Sequence, residues 1–551
     1  MTFNKKQRKM KIKNILKSFT FIAAVSFLTI SCHDDLDQLP IDPDSFTEEN
    51  VFADINTAKG ALAKLYSSLA LTGQQGPAGQ PDISGIDEGF SQYSRMLYNL
   101  NELTTDHAVV GWGDPGLPDL HNMSWSSSND FTEALYSRLA QEVSFCNSFI
   151  ANAANLTDAE AATFIAEARF LRAFAYYNLI DLYANVPLTT IVSVELPQQS
   201  TREELFNFVE SELIAIGTLL KESGSNEYGR VDKVAAWALL SRLYLNANSW
   251  IGQDKYSECI TYSTQVMNSS YTINTTDANG NGSAYDELFL ADNNTNGAQN
   301  EFIFALNFDG LQSQTYGGTT FLVHASIGGD MDAANFGVNG GWAGLRTTKS
   351  FVDKFSSSIT GTDGDGFPIN WSDKRAMFHT DGQNYNINTI SNTFEDGYAV
   401  AKFKNINSDG SAGNDSGGDF VDSDLPLIRL AEIYLNYAEA SVRGGIGGDT
   451  NIATTKINEL RSRAYGDNSG AITVADLTLE FILDERSREL YWEGTRRTDL
   501  VRFNQFTTGT YLWPFKGGSS TGVGVDTYRN IFPLPANILT INPNLTQNTG
   551  Y

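Results

Sequence analysis

Between Ala161 and Tyr183 the residues Phe164, Ala168, Leu171, Ala175, Leu179 and Leu182 recur at spacings of three and four, one apolar stripe along a helix of about six turns. Asn185 and Pro187 then stop it. A stripe of that length must be covered by other elements, so the chain around it is predicted to be a helical assembly. The same periodicity runs from about residue 50 to 270, with one irregular stretch near 72–130. Val231–Trp250 and Tyr256–Met267, joined around Gly252, read as a helix pair of the tetratricopeptide type, although the consensus is eroded. Helices are predicted again over Leu427–Arg443, Asn451–Arg463 and Leu477–Trp492.

From 271 to 424 the composition turns to Gly, Asn, Asp, Ser and Thr, with short apolar runs at Glu301–Phe308 and Thr319–Val323 that read as small strands among loops. The fold class expected is mainly α. A helical scaffold over about 46–270 and 425–510 carries a loop-rich insert at 271–424, all within one domain from 46 to 551. A chain of 551 residues, 41% of them hydrophobic, has ample material for such a core. Loops held on a rigid support are where binding sites concentrate.

The N-terminus carries an address. Residues 1–31 hold seven cations and no acid, and the apolar run Phe19–Ile30 leads to Ser31-Cys32. This is the pattern of an export signal. Leu28-Thr29-Ile30-Ser31-Cys32 resembles a bacterial lipobox, in which a small residue precedes the cysteine that becomes acylated. Residues 1–31 are therefore expected to be removed, leaving Cys32 as a lipidated N-terminus and 32–45 as an acidic, Pro-containing tether. Cys146 and Cys259, both in helical patterns, are expected as buried thiols.

Charge narrows the partners. With 38 Lys+Arg against 65 Asp+Glu, the net charge is −27, and bulk attraction to nucleic acid or anionic surfaces is excluded. Five scattered histidines leave no HExxH and little material for a nucleophile relay. Gly518-Ser519-Ser520-Thr521-Gly522 matches a nucleophile elbow only in letters, lacking the strand and helix that make one. Asp277, Asn279, Asn281 and Gly282 begin like a calcium loop, but Leu288 stands at position twelve and Glu287 comes one residue early, so a turn is expected. A structural Ca²⁺ is instead expected near Asp422 and Asp424, joined by Asp292. No cofactor is required. A pair of carboxylates working as a glycosidase is the enzymatic alternative, since that chemistry needs only two acids.

Trp112, Trp125, Trp342, Trp371 and Tyr316 lie in Gly/Pro/Asn-rich surroundings and not on periodic apolar faces. Gly111-Trp112-Gly113-Asp114-Pro115 and Asn339-Gly340-Gly341-Trp342-Ala343-Gly344 break helices on both sides of the ring. Such rings either plug the underside of their own loops or stack on sugar faces, and several together favour a carbohydrate platform.

Four blocks then carry a resemblance. Glu167-Ala168-Arg169-Phe170-Leu171-Arg172-Ala173, the run Leu427–Leu435 into Ala438-Glu439-Ala440, Glu485-Arg486 through Glu489, Glu493-Gly494, Arg496-Arg497 and Asp499-Leu500, and the ending Asn542–Asn548 with Gly550-Tyr551 resemble the SusD/RagB family over essentially the whole mature chain. Asn101-Glu102-Leu103, Tyr316-Gly317-Gly318, Tyr511-Leu512-Trp513 and Lys516-Gly517-Gly518 are similar to its starch-binding branch. The resemblance implies a non-enzymatic lipoprotein on the outer face of the outer membrane. It would bind α-1,4-glucan oligosaccharides and sit over a TonB-dependent transporter. It further implies a sugar-stacking arc of Trp112, Tyr316 and Trp342 with Arg95 as hydrogen-bond donor, and an asparagine expected just after Trp112 is replaced by Gly113-Asp114-Pro115. Another curved neutral glucan, such as a β-1,3-linked one, is the alternative ligand.

Anchoring is predicted to rest on Cys32, because acyl chains contribute roughly 0.8 kcal/mol per buried CH₂. Cys32→Ala is expected to release the protein from membranes or leave it unprocessed. Metabolic labelling with a fatty-acid analogue checks this, and label retained by the variant would refute it.

Overall fold

The computed structural model describes residues 48–391 and 393–551; the export segment, Cys32 and most of the tether lie outside the described residues. Residues 48–58 hold the short helix Glu48–Val51 and the start of a helix running from Ile55 to Ala70. Lys59–Tyr551 form one compact, helix-dominated unit.

Its main helices are α1 (Tyr93–Asn101), α2 (Asp130–Ala153), α3 (Ala161–Tyr183), α4 (Arg202–Ile216), α5 (Lys233–Ile251) and α6 (Tyr256–Met267). Beyond these come α7 (Gly318–Ala325), α8 (Leu430–Val442), α9 (Thr450–Tyr465), α10 (Leu479–Leu490) and α11 (Arg496–Arg502). From α2 to α6 each helix packs against the next, and α6 then packs against α8, so the array resumes across the insert where it stopped. Local chemistry sets the boundaries. Asn129 caps α2 by accepting from the N–H groups of Phe131 and Thr132, Thr201 and Glu204 form a capping box on α4, and Gly252, at φ 68°, closes α5 in a left-handed turn. From Ala166 to Tyr183 every residue of α3 but Arg169 is buried. Its alanines let neighbouring helices approach from several sides, so α3 is the axis of the array and not an amphipathic surface helix.

Small antiparallel pairs lie within the insert and between it and its flanks. β1 (Val109–Val110) pairs with β3 (Leu345–Arg346), β2 (Phe302–Leu306) with β8 (Leu425–Arg429), β4 (Ile359–Thr362) with β5 (Pro368–Trp371), and β6 (Phe378–His379) with β7 (Ala399–Val400). The β2–β8 pair closes the insert, bringing its end back beside its start. Two expectations are corrected here. Leu427–Arg429 is strand, and the helix begins only at Leu430, because this stretch pairs with β2. Thr319–Val323 lies in α7, since packing of Phe321 against Tyr98 and Trp112 overrides the β-branched composition. Cys146 and Cys259 are free and buried. Among the described residues no helix is long and apolar enough to cross a membrane.

Scaffold and insert are joined by a buried ionic cluster. Arg429 donates to Glu493 (2.7 Å), Glu301 (3.0 Å) and Glu489 (2.6 Å). Arg375 donates to Asp373 (2.7 Å), Glu485 (2.9 Å) and Glu489 (3.0 Å), Arg463 to Glu301 (2.7 Å) and Glu489, and Lys402 to Glu493 (2.8 Å). All of these side chains are buried. Burial alone would raise the Glu489 carboxyl, but the guanidinium groups of Arg463, Arg429 and Arg375 outweigh it and hold it at about 2.

Removing Arg429 leaves Glu301, Glu489 and Glu493 buried with fewer cations than carboxylates around them. Arg429→Ala is expected to destabilise the fold by about 3–5 kcal/mol, read from urea unfolding at pH 7. Because the Glu489 carboxyl is depressed in the fold, its contribution is complete above the ordinary carboxylate range and is lost as pH falls from about 4.3 towards 2. Unfolding midpoints measured across that window should fall steadily, and a flat profile would refute the assignment.

Candidate functional site

Two of the rings named from the sequence are brought together by a two-residue ladder. Trp112 follows β1 and Trp342 precedes β3; Val110 pairs with Leu345, and the Gly111 N–H donates to the Gly344 carbonyl at 2.9 Å. The Trp112 indole N–H donates to the Trp342 carbonyl at 3.0 Å, and the two ring centroids stand 6.4 Å apart at 47°. Tyr316, in the loop leading into α7, lies 6.3 Å from Trp342 at 60°. All three rings are half-buried. Each has one side committed to the protein. His324 stacks on Trp342 at 4.8 Å and 16°, Phe420 packs on Tyr316, and Phe321 meets Trp112 edge-on.

Arg95 comes from the first turn of α1. Gln92, the α1 N-cap, accepts from the Arg95 N–H (2.8 Å) and from the Gly318 N–H (3.0 Å), so one amide oxygen joins the starts of α1 and α7. The Arg95 guanidinium lies 4.6 Å over Phe321 and 5.7 Å over Trp112, and donates to the carbonyls of Tyr316 (3.1 Å) and Gly89. Burial pulls its pKa down to about 10 against the opposing charges of Asp114 and Asp87, so it stays cationic at neutral pH. Its Nε has no partner. The structure thus brings Trp112, Tyr316, Trp342 and Arg95 together. The sequence reading misses Phe321 and His324, which back the rings, and Gln92, which joins the two helix starts. Phe321 and His324 both lie in the run after Gly317-Gly318, whose composition reads as strand.

Other expected residues fall elsewhere. Trp125 is 1% exposed, packed on Phe532 with its indole N–H donated to the Tyr551 hydroxyl at 2.7 Å, so it is a core residue. Trp371 ends β5, partly buried against Phe378. The acids expected to hold Ca²⁺ are not gathered into one set, and among the described residues no group of three or more His, Cys, Asp or Glu side chains is placed to hold an ion. Asp292 accepts from the Ser408 N–H and hydroxyl, Asp422 from the N–H groups of Gly310 and Asn414, and Asp424 from the Phe308 N–H and the Tyr228 hydroxyl. Each carboxylate is already satisfied by donors of its own neighbourhood.

One arrangement imitates a catalytic relay. His107 faces Glu102 through Nδ1 and the Ser487 hydroxyl through Nε2, both at 2.7 Å. Glu102, His107 and Ser487 are 0%, 1% and 1% exposed, so no substrate reaches the hydroxyl. The carboxyls raised to about 7, those of Glu142, Glu287 and Asp424, are likewise buried, and desolvation is the main cause of each shift.

A stacked helical scaffold that presents aromatic rings from its insert and from the loop after β1 defines a class of platform proteins. The family model described as the SusD family matches residues 376–551, and one described as starch-binding, associating with the outer membrane, matches 91–245. The chain is 36% identical to the starch-binding protein SusD of Bacteroides thetaiotaomicron over 98% of its own length and all of that protein. It is 23% identical to SusD-like protein P25 of Formosa agariphila over the same shares. Among solved structures, a SusD superfamily protein from Parabacteroides distasonis superposes with a TM-score of 0.67 at 21% identity, covering 92% of this chain and all of that one. Surface glycan-binding protein A from Bacteroides fluxus superposes at 0.66 and 20%, covering 90% and 99%. This protein belongs to the SusD family.

The site's geometry depends on one missing side chain. A Cβ on Gly344 would overlap the Trp112 indole, so Gly344→Ala is expected to displace that ring at a cost of about 1–3 kcal/mol. Near-UV circular dichroism and tryptophan emission should change while far-UV circular dichroism does not. Unchanged aromatic spectra would contradict the packing.

Proposed function

We propose that this protein is a cell-surface lipoprotein that binds starch-type α-1,4-gluco-oligosaccharides without cleaving them and passes them to a TonB-dependent outer-membrane transporter. The observation that carries the reading is the convergence of three half-buried rings, neighbours 6.3–6.4 Å apart, beside a partly buried arginine with an unpaired Nε. The rings are inclined to one another by 47° and 60°, so together they make a curved surface. An α-1,4-glucan coils and can follow such a curve, whereas a flat β-1,4 polymer touches fewer rings. Each ring covering about 80 Å² of sugar contributes about 2 kcal/mol gross. Ordering of the ligand reduces the sum to micromolar or millimolar affinity. Support comes also from the relative named for starch binding and from the matching model's description, which couples starch binding to the outer membrane. The lipobox-like Cys32 supplies the anchor and the acidic tether the outward address. The handoff to a transporter rests on family membership alone.

The test is calorimetry with maltoheptaose. Trp342→Ala is expected to weaken binding by about 1–3 kcal/mol, as loss of one stacking ring does for planar ligands, with the fold intact. Arg95→Ala is expected to cost about 0.5–2 kcal/mol, and Trp371→Ala less than Trp342→Ala. No new reducing ends should form on prolonged incubation. Tighter binding of β-1,3-gluco-oligosaccharides would reassign the glucan, and equal losses from Trp371 and Trp342 would mean the arc is not the site.

A further inference from the structure

His324 stands in the last turn of α7, 2% exposed, and holds Trp342 in two ways. Its ring stacks on the indole at 4.8 Å and 16°, and its carbonyl accepts from the Trp342 N–H at 2.7 Å. The imidazole nitrogens then reach two different loops. Nδ1 lies 2.7 Å from the Gly340 carbonyl, in the loop that carries Trp342, and Nε2 lies 3.0 Å from the Asp419 carbonyl, next to the Phe420 that packs on Tyr316. Asn339 adds bonds to Gly417, Gly418 and Asp419 at the exposed rim, so the imidazole is the inner member of the joint between the loops.

Both oxygens facing the ring are backbone carbonyls, which only accept. A neutral imidazole has one N–H and donates to one of them, leaving a lone pair against the other; the imidazolium donates to both. Turning the ring over would set carbon at both positions, so neither loop is better served that way. Burial draws the His324 pKa below its ordinary value, against the pull of the two carbonyls and of the Asp419 carboxylate, and at neutral pH the ring is uncharged. Loop 339–344 and the rest of α7 contain no titratable side chain. On the second loop, the Asp415 carboxylate accepts from the N–H groups of Gly417, Asp419 and Phe420, and that of Asp419 accepts from Asn339. Arg95, which reaches α7 at Phe321, stays cationic throughout.

We propose that His324 is a positioning residue of the ring site, and that its protonation fastens the loops of Trp342 and Tyr316 together and so tightens the binding of a neutral glucan. This rests on the reading of the rings as a glucan site. The glucan does not titrate, so a gain on the acid side comes from the protein. Linkage is reciprocal, and a bound glucan raises the His324 pKa by the factor by which the proton raises affinity. The fold behaves in the opposite sense. Because folding lowers the His324 pKa, its contribution to stability is complete above about 6.5 and is lost as pH falls through the folded value, so the readout is affinity and not melting temperature.

The experiment is calorimetry of the purified chain with maltoheptaose from about pH 7.5 to about pH 5, beside an NMR titration of ¹³C-labelled histidine with and without the ligand. Affinity is expected to rise about threefold on acidification, the effect of one added hydrogen bond, and the His324 resonance to titrate at higher pH when maltoheptaose is bound. His324→Phe keeps a ring beneath Trp342 without either nitrogen, and His324→Gln keeps an amide donor that does not titrate. Both are expected to give flat profiles with the fold intact by far-UV circular dichroism, and either identifies the His324 resonance by its loss. A flat or inverted profile in the parent chain, or a His324 pKa that the ligand does not raise, overturns the proposal while leaving the glucan reading standing. Absence of binding at every pH overturns that reading and this inference with it.

Discussion

Arg429 is the side chain on which scaffold and insert both close. It ends the strand that seals the insert against β2 and stands one residue before α8, where the helical array resumes. Its guanidinium reaches Glu301 just before β2, Glu489 in the last turn of α10 and Glu493 just beyond it. Arg375 and Lys402, deep in the insert, reach the same acids from the other side. Burying so many charges is tolerable only because each is met by opposite charge, and this makes the junction demanding about geometry. A loop-rich segment of low intrinsic order is thereby fixed to helices at several points, and the ring loops inherit a rigid base.

That rigidity is passed outward through short steps. The hydroxyls of Thr347 and Thr348, just past β3, donate to the carbonyls of His107 and Asp106, just before β1, so the two-residue ladder is held from its inner end. Asp106 is itself gripped by Arg496 at 2.7 Å, and His107 by Glu102 and Ser487. The relay-like trio therefore acts as a strut under the ring loops. Its burial, which denies it chemistry, is what suits it to that purpose.

Much of the helical array was legible in the sequence because its signals are local. The stripe in Ala161–Tyr183 and the connection at Gly252 each state their structure within a few residues. The insert was legible only as an insert. Whether a ring in a helix-breaking stretch faces outward or plugs the core depends on residues far along the chain. Trp112 and Trp342 meet across 230 positions, and Trp125, in equally irregular sequence, is sealed by Phe532 and Tyr551. The helix at Thr319–Val323 shows the same limit, since its composition favours a strand and the aromatic bed beneath it decides otherwise.

The rings are half-buried and backed on one side by His324, Phe321 and Phe420. On the proposed reading this shape has a statistical consequence. A pocket recognises a chain end, of which a polymer has few. An open arc grips any internal stretch of the right curvature, so a long glucan offers one overlapping register for nearly every residue it contains. Apparent affinity then grows with polymer length though no new contact is made. A bound chain can also shift by one glucose, trading one set of equivalent stacking contacts for the next, without ever leaving the surface.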